Sequence, residues 1–226
     1  MNSVIKTIGV SGPDLRSLPV VVLVAALMIV AMAAFAESPR EKLTGRGLEF
    51  TVEDFVRGAA AKGEIETVKL FLAAGMDVNK KMPYLSTRGK RRGFGGQTAL
   101  HAAASGGHAK LVAYLIEKGA AYDPTGNHNE TPLLVAAIAG HAKVIGLLAA
   151  KGADVDRKDT YLQTPLILSV KAGNVDAVKI LLANGAKVNE IDFNRAAALD
   201  YAGNADNAEI IQLLKGSGGK KAHELR

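Results

Sequence analysis

Three threonines, Thr98, Thr131 and Thr164, stand 33 residues apart, and each opens a similar string. Thr98-Ala99-Leu100-His101-Ala102-Ala103 leads to Gly107-His108, and Thr131-Pro132-Leu133-Leu134-Val135-Ala136-Ala137 leads to Gly140-His141. Thr164-Pro165-Leu166-Ile167-Leu168-Ser169 leads to Gly173-Asn174. A fixed period of this length implies stacked equal units, none of which can bury its apolar face alone.

Each unit continues alike. A second apolar run follows: Leu111-Val112-Ala113-Tyr114-Leu115-Ile116, Val144-Ile145-Gly146-Leu147-Leu148 and Val178-Lys179-Ile180-Leu181-Leu182. Gly119, Gly152 and Gly185 then supply the left-handed cap that stops a helix. Each unit therefore reads as a short helix, a tight turn, a longer helix and an extended loop. Thr131-Pro132 and Thr164-Pro165 are helix starts, a hydroxyl cap followed by proline at the first helical position.

The period and wording resemble the ankyrin repeat, whose signature is T-P-L-H-x-A. Two weaker copies flank the three. Upstream, Asp54 to Gly63 fills the first-helix place and Val68-Lys69-Leu70-Phe71-Leu72 the second, with Asp54 and Phe55 where threonine and proline belong. Downstream, Ala197 keeps the register and Ile210-Ile211-Gln212-Leu213-Leu214 closes the last unit. The expected fold is an all-α ankyrin-repeat solenoid of about five helix-turn-helix units with extended loop fingers over residues 51–216. A linker is expected over 37–50 and a flexible basic tail over 217–226. The resemblance implies that His101 bonds backbone groups of a neighbouring loop.

From Leu18 to Ala36 the chain carries no charge; Lys6 and Arg16 precede that run, and it ends Ala34-Phe35-Ala36. A charged start, an apolar middle and a small-x-small end describe a signal peptide over 1–36, cut between Ala36 and Glu37. The alternative is an uncleaved anchor, since the run is long enough to span a bilayer. Either way the positive-inside rule places the repeats outside the cytoplasm. A signal of bacterial style on a chain with no cysteine gives the periplasm as the expected compartment, or the inner membrane facing it.

Asp156 precedes Thr164 by 8 residues, whereas Asn79 precedes Thr98 by 19, so 11 extra residues lie between the first two units. The insertion, 80–96, holds six cations and no acid: Lys80, Lys81, Arg88, Lys90, Arg91 and Arg92. Pro83 and the glycines exclude a stable helix and favour a flexible finger. Three readings stand open: a solvated loop, a dock for an acidic protein with Tyr84 and Phe94 as anchors, or attraction to an anionic membrane surface. Export argues against nucleic acid.

The resemblance implies binding through loop tips and the exposed side of the first helices. Phe94 and Phe193 fall four residues before their unit openings, His128 and Tyr161 three before theirs. Arg157, Lys158, Ile191 and Asn194 lie near them. Tyr161 and Phe193 either meet a partner or pack on a neighbouring loop. The inner-helix strip, which includes Ser105, Ile138, Lys171 and Asn204, reads as mostly small and uncharged with few anchors. Two residues before each opening the backbone needs a left-handed conformation. Gly96 and Asn129 suit it, but Leu162 and Arg195 do not, so two reshaped loops are expected.

No nucleophile–base pair, phosphate loop or zinc spacing appears, so no enzyme activity, cofactor or metal is expected. Exported members of the family include proteins that act beside peroxide-detoxifying enzymes and others that neutralise toxins. The resemblance thus implies a monomeric protein-binding module, an adaptor, inhibitor or immunity-type protein with an acidic partner. The alternative is a membrane-surface scaffold.

Overall fold

A computed structural model describes residues 37–83, 86–87, 90–91, 95–204 and 207–225. The expected signal segment 1–36 lies outside them, and of 86–87, 90–91 and 204 only the backbone is described.

Five helix pairs stack in chain order. The first pairs a π-helix, Asp54–Ala60, with α2, Ile65–Ala73. The others are α3 (Ala99–Ser105) with α4 (Ala109–Glu117), α5 (Pro132–Ala139) with α6 (Ala142–Ala150), α7 (Pro165–Lys171) with α8 (Val175–Ala183), and α9 (Ala198–Asn204) with α10 (Ala208–Gly216). Inner helices touch inner helices, α3 on α5 on α7 on α9, and outer touch outer, α4 on α6 on α8 on α10.

The caps follow the sequence. Thr131 Oγ1 accepts from the Leu134 N–H and Thr164 Oγ1 from the Ile167 N–H, both at 3.3 Å, with Pro132 and Pro165 inside the first turn. Inner helices are sandwiched and hence apolar nearly all round; Leu133, Leu134, Ala136 and Ala137 are all fully buried. Outer helices bury one stripe, such as Leu111, Val112 and Leu115, and leave the opposite face to solvent.

The turn between the helices of a pair is built around the next unit's side chain. Gly63 and Gly107 adopt φ of +73° and +71°. A Cβ on Gly63 would sit 2.6 Å from the His108 ring, and one on Gly107 2.7 Å from the His141 ring. Those imidazoles bond back to the preceding inner helix, His108 Nε2 to the Ala61 carbonyl and His141 Nε2 to that of Ser105, each at 2.9 Å. Asn174 repeats the bond to Gly140 at 2.8 Å. Glycine is required twice over, for its conformation and for the neighbour's space.

Both ends differ from expectation. The stretch 37–50, expected as a linker, carries α1, Pro39–Gly45, with a complete capping box between Ser38 and Glu41. Leu43 of α1 is buried, Arg46 donates to Thr67 Oγ1 at 2.8 Å, and Phe50 stacks on Phe71, which also meets Phe55. This segment closes the open end of the stack. The stretch 217–226, expected as a flexible tail, makes the turn that ends every other unit: Gly218 stands 33 residues past Gly185, with φ of +81° against +82°. A 3₁₀ turn, Ala222–Glu224, follows, and the Ala222 N–H donates to Asp200 Oδ2 at 2.9 Å.

Candidate functional site

Between units the chain forms fingers, and their stiffness comes from carboxylates. Asp159 Oδ1 accepts from the N–H groups of Tyr161 and Gln163, both at 2.8 Å. One unit on, Asp192 Oδ1 accepts from those of Asn194 and Ala196 at 2.9 and 3.2 Å. In the finger before, the matching position is Gly126. There the Glu130 carboxylate folds back and accepts from the His128 N–H at 2.5 Å, filling the space where a Cβ on Gly126 would collide with it. The three fingers reach one geometry by two routes.

That geometry overrides backbone preference. Leu162 and Arg195 adopt φ of +59° and +58°, matching Asn129 at +58°, so the expected reshaping does not occur. The Asp159 and Asp192 bonds on either side hold the turn, at a cost of roughly 1–2 kcal/mol for each left-handed non-glycine residue.

The fingers also join edge to edge. The Thr160 N–H donates to the His128 carbonyl and the Phe193 N–H to the Tyr161 carbonyl, both at 3.0 Å. Asn129 Nδ2 donates to the Lys158 carbonyl at 2.7 Å. Lys158 Nζ, expected as a partner contact, pairs with Glu190 at 2.6 Å and so also ties two fingers together. Arg157 stays exposed, its guanidinium 3.5 Å from Asn129 Oδ1.

Apolar side chains crown this ribbon: Phe193 is 75% exposed, Tyr161 58%, Leu162 45% and Ile191 41%. Packing on a neighbouring loop is thus not what Tyr161 and Phe193 do. Together with Thr160, Gln163, Asn194 and Lys171 they line one open cleft. His128 is exposed on the adjoining finger. The inner-helix strip is less bland than the sequence implied. Ile138 is 56% exposed on α5, and Lys171 takes the same position one unit later, its Nζ 5.0 Å from the centroid of the Tyr201 ring.

Beneath the cleft, Tyr201 donates its hydroxyl to Asp192 Oδ2 at 2.5 Å, and Gln163 donates to the same oxygen at 3.4 Å. Burial opposes the Asp192 charge, yet the bonds from Tyr201, Ala196, Gln163 and Asn194 outweigh it and hold the carboxyl below its usual range. The Tyr201 phenol is raised by burial and by that same bond.

The basic insertion has a built base. The Met82 N–H donates to the Gln97 carbonyl at 2.8 Å, the Gly96 N–H to that of Met82 at 2.9 Å, and Met82 is buried. Above the base, β1 (Ser86–Thr87) and β2 (Lys90–Arg91) pair antiparallel, Ser86 opposite Arg91 and Thr87 opposite Lys90. The insertion therefore lengthens a finger as a hairpin. The side chains of its expected contact residues, Tyr84, Arg88, Lys90, Arg91, Arg92 and Phe94, lie outside the described residues.

His101 shows what the buried polar groups do. The Thr98 N–H lies 3.2 Å from its Nδ1, and its Nε2 lies 3.1 Å from the Glu130 carbonyl in the next finger. A carbonyl only accepts, so the proton is on Nε2 and the ring is neutral. Burial depresses its pKa to about 4. The ring links two units, as the resemblance implied. Among the described residues no cluster could hold a metal ion, and no helix is long and apolar enough to cross a membrane.

The chain matches the family profile of ankyrin repeats (3 copies) over residues 57–159 and that of ankyrin repeats (many copies) over residues 147–202. No curated protein matches it. The chain belongs to the ankyrin-repeat family, an interaction module that binds other proteins.

Proposed function

We propose that this ankyrin-repeat protein is an exported, non-enzymatic binding module, an adaptor, inhibitor or immunity-type protein for a partner in the periplasm. The observation that carries the reading is the crown of Tyr161, Leu162, Ile191 and Phe193 on a ribbon of mutually bonded fingers. Rigid, exposed aromatic side chains lose little entropy on binding and are the usual anchors of protein interfaces. Export rests on the uncharged run 18–36 and its Ala34-Phe35-Ala36 end, with Glu37 as the first residue of the mature chain. A second reading, a membrane-surface scaffold, draws on that same run left uncleaved and on the six cations of the insertion.

Site-specific photo-crosslinking in cells tests the first reading. A crosslinker placed at Phe193 or Tyr161 is expected to trap a discrete partner band in the periplasmic fraction. One at Lys143, exposed on the outer helix α6, is expected to trap none. Bands from Lys143 alone, or none from any position, would sink it. Intact mass of the exported chain decides the first residue.

A further inference from the structure

We infer that the fingertip cleft takes an extended acidic segment of a partner protein, with an apolar side chain lodged between Tyr161 and Phe193 and a carboxylate at Lys171. The inference rests on the binding-module reading and specifies the chemistry of its partner.

Charge carries the argument first. The carboxylate oxygens around the cleft are engaged by internal donors. Asp159 and Asp192 hold their own finger turns, Asp200 Oδ2 accepts from the Ala197 and Ala222 N–H groups, and Glu190 pairs with Lys158. The cations are not consumed. Among the described residues no carboxylate pairs with Lys171, Arg195 or Arg157, and all three are exposed. The Lys171 ammonium rests over the Tyr201 ring, which fixes its position and leaves its outer side open to an anion. A basic segment would be repelled at Lys171, the one cation that lines the cleft, and an acidic one finds there a cation without a carboxylate partner.

Length comes second. The cleft is lined by fingertip residues on one side and by Lys171, the last position of α7, on the other. Seven helical residues rise about 10 Å, the span of roughly three residues of extended chain. An apolar side chain seated at the aromatic tips therefore places the carboxylate two or three residues away at Lys171. A flat headgroup layer is a poor occupant, because Lys171 lines the same cleft as Tyr161 and Phe193, which a chain can enter and a plane cannot.

Fluorescence anisotropy at 150 mM salt tests this with the exported chain and two ten-residue fluorescein-labelled peptides. One has a single central Leu with Glu two and three residues to either side, and the other has Lys at those places. The acidic peptide is expected to bind at least tenfold tighter. Phe193→Ala is expected to weaken it about tenfold, and Lys171→Glu to reverse the order of the two peptides. Equal binding of both peptides, or an acidic preference that survives Lys171→Glu with unfolding midpoint unchanged, overturns the inference. So does Phe193-dependent flotation with phosphatidylglycerol vesicles in place of peptide binding. If a partner still crosslinks at Phe193 while the acidic preference is absent, this inference falls and the binding-module reading stands; if both are absent, both fall.

Discussion

The side-chain amide of Asn189 donates to the Gly218 carbonyl at 3.1 Å, while its oxygen accepts from the Lys220 N–H at 2.8 Å. Asn79 makes the same two bonds to Gly119 and Ala121, at 3.0 and 2.9 Å. Asp123 and Asp156 make the accepting half of the pattern, to the N–H groups of Asp154 and Lys187. Each unit thus grips the turn of the next, and the last grip falls on the C-terminal residues. Asn189→Ala is expected to cost about 1 kcal/mol, the net worth of such exposed bonds. Denaturant unfolding measures it, and trypsin cleavage after Lys220 should accelerate in the same variant. A midpoint and a cleavage rate equal to wild type would leave the tail ungripped.

Stability should fall in acid through His101. The unfolded ring takes up a proton near pH 6.5, whereas the buried ring resists it to about 4. Between those values the unfolded state binds the extra proton, so stability drops as pH falls through the window. The drop amounts to about 3 kcal/mol, with the full contribution present above pH 6.5. His101→Gln removes this component. The gap between wild type and variant, wide at pH 7.5, is therefore expected to narrow by pH 4.5. A gap constant over that range would show that the ring titrates freely.

Leu162→Asn is expected to stabilise the fold by about 0.5–1 kcal/mol, since Asn tolerates the left-handed backbone that Leu does not. The chain itself places Asn129 at this position one unit earlier, with φ of +58° against +59°. Leu162 is 45% exposed, so little packing is lost. The same change trims the apolar crown. Higher thermal stability with weaker partner capture would mark Leu162 as a residue kept for contact at the expense of the turn.

Thr164→Val keeps the side chain's shape and removes the oxygen that caps the Ile167 N–H, which should cost about 1 kcal/mol. Thr164 is buried and so distant from any partner. Lost binding without lost stability would contradict its structural role.

The frame of this fold is legible because a helix start has a local cause. Thr131-Pro132 and Thr164-Pro165 carry the cap and the pre-set backbone within two residues, and the 33-residue period repeats them. The cap helix α1 is legible too, in Ser38-Pro39 with Glu41 three residues past the cap, although a short polar stretch hides the buried Leu43. The tail reads by composition as a linker, yet Gly218 is one full period past Gly185, and register outweighs composition. What the chain cannot display is what depends on two fingers meeting. The Lys158–Glu190 pair joins residues 32 apart across a gap set by stacking, and the backbone of Leu162 yields to bonds from Asp159. Tyr161 and Phe193 are legible as tips from register alone. Ile138 and Lys171 are exposed because of how α5 and α7 present one edge, and only their shared place in the period hints at it.

The long finger is expected to speed association rather than to hold the fold. Its base is fixed by Met82, whose bonds to Gly96 and Gln97 close the hairpin below the charged residues. Lys90 and Arg91 lie on β2, beyond that closure, so their loss should leave the stack intact. Attraction by such charges reaches roughly a Debye length, about 8–10 Å at ordinary salt, and fades as salt rises. Replacing Lys90, Arg91 and Arg92 together by Gln should therefore slow association with the partner several-fold at low salt and hardly at all at high salt, with the dissociation rate and melting temperature little changed. Stopped-flow association across a salt series separates this from a contact role. A salt-independent loss carried by faster dissociation would mean that the finger tip is itself seated in the partner, and equal rates at every salt concentration would leave it a solvated loop.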